Sequence, residues 1–425
     1  MKLRSEKAVY GGAGLAHHEG KAIFVPFTLP GEVVEAHTVE DRGTYAKAEL
    51  DEVLEASQER VTAPCPYFGE CGGCHYQHAN YAEQVRLKAG ILRETLERAH
   101  LREIPEIGVM HGEPHGYRNR IRLHVDTASS RLCYKRRGSH ANLGVDECPI
   151  AAPVLQEALG AVQAREKEWG LGQCFDEIEM FTNAEQSELL LTLWSRQGQG
   201  EADRSLKRIW VDVREAIPQI VGAAVLASAE GKQKGGVLAK VGAQALTYRV
   251  EAGEYQVSLG SFFQVNRLLV GDLVRLAVAG RSGAVAWDLY AGVGLFAQAL
   301  SERFEQVVAV ESAPSSISDL RHNLGGAHKK VAATTLEFLR RATAGRQARP
   351  DFVIVDPPRA GLGKEMTALL ADIRPQHITY VSCDPATLSR DLKSLLDSGY
   401  HLTNMHMVDL FPQTFHLESV AMLSL

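Results

Sequence analysis

Val285-Ala286-Trp287-Asp288-Leu289-Tyr290-Ala291-Gly292-Val293-Gly294-Leu295 is the stretch that decides the fold. Residues 285–288 read as a buried strand, the glycines as a tight turn, and the residues from Leu295 as the start of a helix. Working outward from this stretch, residues 307–311 form a second strand followed by a helix to Asn323, and a third strand lies near 330–333. Residues 352–356 and 378–382 are the fourth and fifth strands. Apolar strands alternating with helices imply a parallel, doubly wound α/β sheet.

Chemistry collects at the ends of these strands. Glycines at a helix N-terminus let the backbone approach a ligand closely. The spacing is not the dinucleotide fingerprint, which needs three glycines as G-x-G-x-x-G. An acid, Asp288, precedes the turn, and a second, Glu311, ends the next strand roughly 20 residues on, where a ribose is usually held. An acid ahead of the loop disfavours a phosphate and suits a cationic, phosphate-free nucleoside; S-adenosylmethionine is such a ligand. The bland reading is a structural turn in some other α/β enzyme. Asp356-Pro357-Pro358-Arg359 follows strand four, its prolines stiffening the turn that presents the carboxylate. Enzymes that methylate exocyclic amines show such an acid and prolines with an aromatic next, where Arg359 stands here. Ser382-Cys383-Asp384-Pro385 follows strand five, which puts Cys383 at the same edge of the sheet. A cysteine at a strand end is often an inert small hydrophobe. Beside a cofactor loop it reads as a nucleophile, and a helix starting at Pro385 would help form its thiolate.

Upstream, residues 1–57 hold short strand candidates at 21–25, 32–36 and 45–50, separated by the turns Pro30-Gly31 and Asp41-Arg42-Gly43. This pattern suits a small barrel of the OB type. Cys65-Pro66-Tyr67-Phe68-Gly69-Glu70-Cys71-Gly72-Gly73-Cys74 follows. Three thiols in a glycine-rich loop need one more ligand, and both zinc and iron–sulfur fit. His75 or His78 would complete a zinc site, whereas Cys148, beside Pro149, would complete an all-cysteine cluster. Asn80-Tyr81-Ala82-Glu83 resembles a capping box and opens a helix over 81–99. Residues 116–255 form a mixed α/β stretch. In it Arg118, Arg120 and Arg122 alternate, so on a strand they share one face. That face is either solvated surface or a stripe that tracks phosphates.

Charged residues are 23% and hydrophobic residues 45% of the 425, which excludes a disordered or fibrous chain. A net charge of 46 − 52 = −6 argues against coating nucleic acid by bulk charge, but leaves room for a local basic patch. Seven cysteines, an odd number, do not read as a disulfide framework. No apolar run reaches membrane-spanning length and the first residues run into glycines, so a cytoplasmic protein is expected.

Together these residues resemble the RNA 5-methyluridine methyltransferases that carry a TRAM domain and an iron–sulfur cluster. Gly12-x-Gly14 through Pro30-Gly31-Glu32 is similar to the TRAM module, an OB-type RNA binder. The resemblance implies a 4Fe-4S cluster on Cys65, Cys71, Cys74 and Cys148. Ser261-Phe262-Phe263-Gln264-Val265-Asn266 matches a signature whose glutamine, Gln264, lies at the cofactor and base. Tyr290, Gly292, Gly294, Leu295, Glu311 and Asp356 fall on the family's S-adenosylmethionine positions, although Leu295 stands where the family often has asparagine. Thr335 stands near where an acid usually follows strand three. The motif 382–388 implies Cys383 as nucleophile, and His416-Leu417-Glu418-Ser419 implies Glu418 as general base.

The implied architecture is a TRAM domain (1–57), a central mixed α/β domain with the cluster loop and an RNA-binding face that includes Arg118, Arg120 and Arg122 (58–255), and a Rossmann-like methyltransferase domain (256–425). The helix at 81–99 is expected to pack on the last of these. The implied reaction adds Cys383 to carbon 6 of uracil, methylates carbon 5, and uses Glu418 to remove the carbon 5 proton. The target base must leave its stack. The expected partner is RNA, 23S ribosomal RNA ahead of transfer RNA, with no membrane and no obligatory protein partner, the enzyme being a monomer. Rivals are an RNA cytosine methyltransferase, excluded by Pro358 where its cysteine would stand, an amine methyltransferase, and an RNA-binding cluster protein without activity.

Overall fold

A computed structural model describes residues 1–101, 103–228, 236–346 and 349–425. The strands read around the glycine turn are all present. They are β1 (Gly283–Leu289), β2 (Phe304–Glu311), β3 (Lys329–Ala332), β4 (Phe352–Val355) and β5 (His377–Ser382), followed by β6 (His401–Val408) and β7 (Glu418–Ser424). β1 to β5 pair in parallel in the order β3-β2-β1-β4-β5. β7 then runs antiparallel between β5 and β6. Both faces of this sheet are covered, so its strands are continuous apolar runs whose alternate residues enter opposite cores. Val307 and Ala309 face one core with Phe296 and Leu300. Val308 and Val310 face the other with Trp287 and Leu392.

An eighth strand, Ile107–Met110, pairs in parallel with β6 at the edge. The helix Tyr81–Arg98 packs its Leu92 and Leu96 into the same core as Leu388 and Leu392. The hairpin Ala245–Val250 and Gly253–Ser258 sends Leu246, Tyr248, Tyr255 and Val257 into the core of the opposite face. The boundary expected at residue 256 is therefore corrected: two earlier segments complete the carboxyl-terminal sheet and its cores. Asn80 caps the helix by accepting from the Glu83 amide at 2.9 Å. The carboxylate of Glu83 turns instead to Arg86, at 2.6 Å from both guanidinium contacts, so only half of the capping box forms.

The central part is a seven-stranded sheet running from Asn142–Gly144 at one edge to Val237–Gly242 at the other. Helices Pro153–Gln163 and Gln199–Ala216 bury apolar residues in its core, among them Leu155, Leu159, Leu206 and Ile209. The amino-terminal part is a six-stranded sheet. Its expected strands appear as Lys21–Pro26, Val33–Asp41 and Tyr45–Glu55, joined by Lys2–Arg4, Lys7–Ala8 and Ala13–His18. Three register shifts between Val33–Asp41 and Tyr45–Glu55 curl this sheet, as a small barrel requires. Among the described residues no helix is long and apolar enough to cross a membrane.

Candidate active site and cysteine cavity

The turn after β1 is strained where a ligand would approach. Tyr290 adopts a left-handed φ of 68° and Gly294 a φ of 95°. A Cβ at Gly294 would stand 2.8 Å from Leu320 Cδ1, so both backbone and space demand glycine there. The Gly292 amide donates to Glu311 Oε2 at 2.8 Å, while Ser312 and Ala313 amides donate to Oε1 at 2.6 Å. These bonds lock the Glu311 carboxylate at the carboxyl edge of the sheet. Asp288 is buried and its side chain has no hydrogen-bond partner among the described residues; burial, then the charge of Asp356, pushes it up to about 8. The Tyr290 hydroxyl reaches Met366 Sδ at 3.2 Å. Leu295 opens the helix Leu295–Ser301, but its side chain packs in the apolar core and its carbonyl accepts from the Tyr255 hydroxyl at 3.0 Å.

Across the edge stand the acid and thiol groups. Gln264 Nε2 donates to Asp356 Oδ2 at 3.3 Å. The strand-like segment that carries Gln264 is pinned from the central sheet: Asn119 Nδ2 donates to the Gln264 carbonyl and the Asn119 amide to the Val265 carbonyl, each at 2.9 Å. Asp356 is partly buried, and the loss of solvent around its carboxyl pushes it up to about 7. Glu418, the first residue of β7, is 3% exposed. Burial, then the charge of Asp356, holds its proton far above the ordinary carboxylate range. Cys383 follows β5 and is half-buried. Its thiol is pushed up to about 12, by burial first and then by Glu418 and Asp356, with Arg359 opposing. Arg359 Nη2 also contacts the His416 ring at 3.2 Å.

The expectation that the helix after Pro385 would form the Cys383 thiolate is corrected. The helix Pro385–Asp397 exists, but Asp384 caps it, accepting from the Ala386 amide at 3.0 Å and the Thr387 amide at 2.9 Å. Its first free amides are spent on the carboxylate of the residue next to Cys383. Sequence reading also missed Tyr10. Its hydroxyl donates to the Cys383 carbonyl at 3.3 Å and its ring stands edge-on to Phe415 at 5.4 Å. A tyrosine before a glycine pair carries no signal of that contact.

Cys65, Cys71, Cys74 and Cys148 line one cavity of about 340 Å³ together with Arg118, Tyr134 and Pro149. The four thiols sense one another: Cys148, Cys71 and Cys65 all add to the burial that keeps the Cys74 proton on. The Gly73 amide donates to Cys71 Sγ at 3.4 Å. Among the described residues no three His, Cys, Asp or Glu side chains form a ready site for a single ion. A lone zinc needs thiolates about 2.3 Å from one point. The four cysteines instead surround one shared cavity. Neither histidine offered for a zinc site lines this cavity: His78 stacks on Phe68 at 5.7 Å, and His75 meets Phe415 edge-on at 4.6 Å.

Arg118 and Arg122 both line the cysteine cavity, Arg122 with half its side chain exposed, whereas Arg120 is largely covered. Arg118 precedes the strand Arg120–Val125 and lines the cysteine cavity. Arg120 lies over the Phe181 ring at 4.2 Å with Glu179 at 3.5 Å, its side chain 16% exposed. Arg122 lies over Trp194 at 3.8 Å and pairs with Glu177. Two cations of the expected stripe, Arg120 and Arg122, meet carboxylates on the neighbouring strand Glu177–Thr182.

The profile of the family described as tRNA (Uracil-5-)-methyltransferase matches residues 80–425, and that of the TRAM domain residues 5–50. The chain belongs to the tRNA (uracil-5-)-methyltransferase family. It is 34% identical to an uncharacterized RNA methyltransferase of Aquifex aeolicus, over 100% of this chain and 98% of that protein. It is 32% identical to the 23S rRNA (uracil(1939)-C(5))-methyltransferase RlmD of Chromohalobacter salexigens, over 99% of this chain and 89% of that one. Its fold matches the crystal structure of Pyrococcus abyssi tRNA (uracil-54, C5)-methyltransferase in complex with S-adenosyl-L-homocysteine, with a TM-score of 0.78 at 24% identity and 100% of both chains covered. As a family member the protein is an S-adenosylmethionine-dependent RNA (uracil-5-)-methyltransferase.

Proposed function

We propose that the protein methylates carbon 5 of one uridine in 23S ribosomal RNA, with Cys383 as nucleophile and Glu418 as base. The observation that carries the roles is convergence. Cys383, Asp356 and Glu418, from the ends of β5 and β4 and the start of β7, interact electrostatically at one edge of the sheet, with Gln264 bonded to Asp356. The relatives named as 23S enzymes favour the ribosomal target.

Carbon 5 of uracil is a weak nucleophile until carbon 6 is attacked. Cys383 Sγ, once deprotonated, forms a bond to carbon 6, and the ring electrons then make carbon 5 nucleophilic. Bound S-adenosylmethionine supplies the methyl group. Gly292, Gly294, Tyr290 and Leu295 would form the loop that receives it, Glu311 would offer its ribose a carboxylate, and Asp356 and Gln264 would line the same site. Glu418 then removes the carbon 5 proton, and elimination breaks the bond to Cys383. Burial keeps Glu418 protonated in the RNA-free protein, so it must first release that proton to solvent; the ionised carboxylate, with its high proton affinity, can then take the proton from carbon 5.

Cys65, Cys71, Cys74 and Cys148 hold a 4Fe-4S cluster in this reading, as their shared cavity accommodates it. The cluster ties the loop 65–74 to the central sheet and takes no part in the steps above. RNA is held by the amino-terminal TRAM module and by the central sheet beside the cavity.

The test is incubation of the purified protein with S-adenosylmethionine labelled in its methyl group and with unmodified 23S ribosomal RNA or unmodified transfer RNA, followed by mass spectrometry of the nucleosides. Labelled 5-methyluridine in 23S RNA is the expected result. Label confined to transfer RNA would move the target, and label in cytosine would overturn the reaction.

A further inference from the structure

The segment 409–417 joins β6 to β7 and ends one residue before Glu418, so its path decides where that carboxyl points. It has no helix or strand, yet Asp409, Leu410, Gln413, Thr414 and Leu417 are all at most 3% exposed. Buried irregular backbone must find partners from elsewhere, and here they come from three distant parts of the chain. Lys88 Nζ donates to Asp409 Oδ1 at 2.6 Å and to the Phe411 carbonyl at 2.9 Å. Tyr117 donates to the Pro412 carbonyl at 3.0 Å, and Asn266 to the Leu410 carbonyl at 3.2 Å.

The centre of the segment is Gln413. Its carbonyl accepts from the amides of His75 at 2.8 Å and Tyr76 at 3.0 Å, the two residues directly after Cys74. Its side chain and amide pair with Gln84: Gln84 Nε2 donates to Gln413 Oε1, and the Gln413 amide donates to Gln84 Oε1, both at 3.0 Å. Its φ of 70° is a left-handed conformation in a residue other than glycine, which persists only where surroundings impose it. His75 also braces Phe415, ring to ring at 4.6 Å. The cysteine loop and the base segment therefore meet at one residue.

We propose that Gln413 is a positioning residue that couples the loop carrying Cys74 to the segment that aims Glu418, and that this coupling governs removal of the carbon 5 proton. The inference rests on Glu418 being the base. A misplaced base slows the last step without hindering the first, so the protein would stay bonded to its RNA. Displacements of about 1 Å in such groups cost on the order of a hundredfold in rate.

The test compares four full-length proteins, wild type, Gln84→Ala, Gln413→Gly and Glu418→Gln, each incubated with S-adenosylmethionine and unmodified substrate RNA. Gln84→Ala deletes both bonds of the amide pair. Gln413→Gly relieves the left-handed strain and loosens the segment by deleting the bond from Gln84 Nε2, while its main-chain bonds remain, and a thermal melt checks that it is folded. Glu418→Gln should accumulate a denaturant-resistant protein–RNA band. The two glutamine variants should accumulate the same band while turnover falls at least about tenfold, with S-adenosylmethionine affinity within about twofold of wild type. Hydrogen exchange, read by mass spectrometry without RNA, should quicken at residues 75–76 and 414–418. If Glu418→Gln forms the band and the folded glutamine variants do not, the coupling is wrong and Glu418 keeps its role. If Glu418→Gln forms no band, the reading of Glu418 falls and takes this inference with it.

Discussion

In the proposed reaction Cys383 is the nucleophile, yet burial first, and then Glu418 and Asp356, raise its proton affinity against the opposing Arg359 and a backbone hydrogen bond. In the protein without RNA the thiol should therefore be sluggish. Alkylation of Cys383 by iodoacetamide, followed peptide by peptide, is expected to climb tenfold per pH unit through pH 9 without levelling. A plateau below pH 8 would mean a thiolate is already formed. The carboxyls give a second prediction. Asp356 has a native value of about 7 against an ordinary 3.8, so between these values the native state binds more protons than the unfolded one. Stability from this group is fully present below about pH 4 and is lost as pH rises through 7. Asp356→Asn should accordingly raise the melting temperature of the RNA-free protein at pH 8 and change it little at pH 4. Equal effects at both values would contradict the assignment. The positions of Cys383 and Glu418 were legible from motif and strand order. The state of the thiol was not, because one residue's carboxylate, Asp384, intercepts the helix amides, and competition between neighbouring acceptors leaves no mark on spacing.

At the scale of elements, the strand Arg120–Val125 shows how alternation misleads. Period-two spacing correctly places Arg120 and Arg122 on one side, but it says nothing of the acids on the next strand. Glu177 and Glu179 alternate in step with them: Glu179 stands opposite Arg122 and reaches Arg120, and Glu177 stands opposite His124 and pairs with Arg122. Cations already paired release few counterions when RNA binds. Arg120→Ala with Arg122→Ala should then lower the salt dependence of RNA affinity by less than one phosphate contact, where two exposed arginines would remove about 1.8. Arg120→Ala alone should lower stability, since Glu179 would lose its only cation among the described residues. A slope change near two would restore the stripe. The helix Tyr81–Arg98 was legible because Leu92 and Leu96 keep its period, and its partner was foreseen. The strand Ile107–Met110 was not, since four residues carry too little pattern to announce an edge strand for a sheet that begins far downstream.

Across the whole molecule the chain folds back on itself more than a linear division into three domains allows. Residues 81–110 complete the carboxyl-terminal sheet, and Tyr10 of the amino-terminal module touches the backbone of the nucleophile. Those long-range returns are set by packing between faces, which local sequence does not record. Four thiols separated by up to 83 positions line one cavity, 148 − 65 = 83, a juxtaposition the family resemblance implied and spacing alone left open between Cys148 and the histidines. Protein purified without oxygen should be brown and carry about four irons per chain, and should keep both when Cys133 or Cys174 is replaced by serine. Colourless protein with one zinc per chain would refute the cluster.

The central claim is that methylation exchanges the carbon 5 hydrogen of uracil while Cys383 is bonded to carbon 6. It is tested most directly with substrate RNA carrying tritium at carbon 5 of its uridines and S-adenosylmethionine carrying ¹⁴C in its methyl group. Release of tritium to water should equal incorporation of ¹⁴C, one for one, and Cys383→Ala should abolish both. Incorporation of ¹⁴C with tritium retained, or with Cys383 absent, would contradict the account.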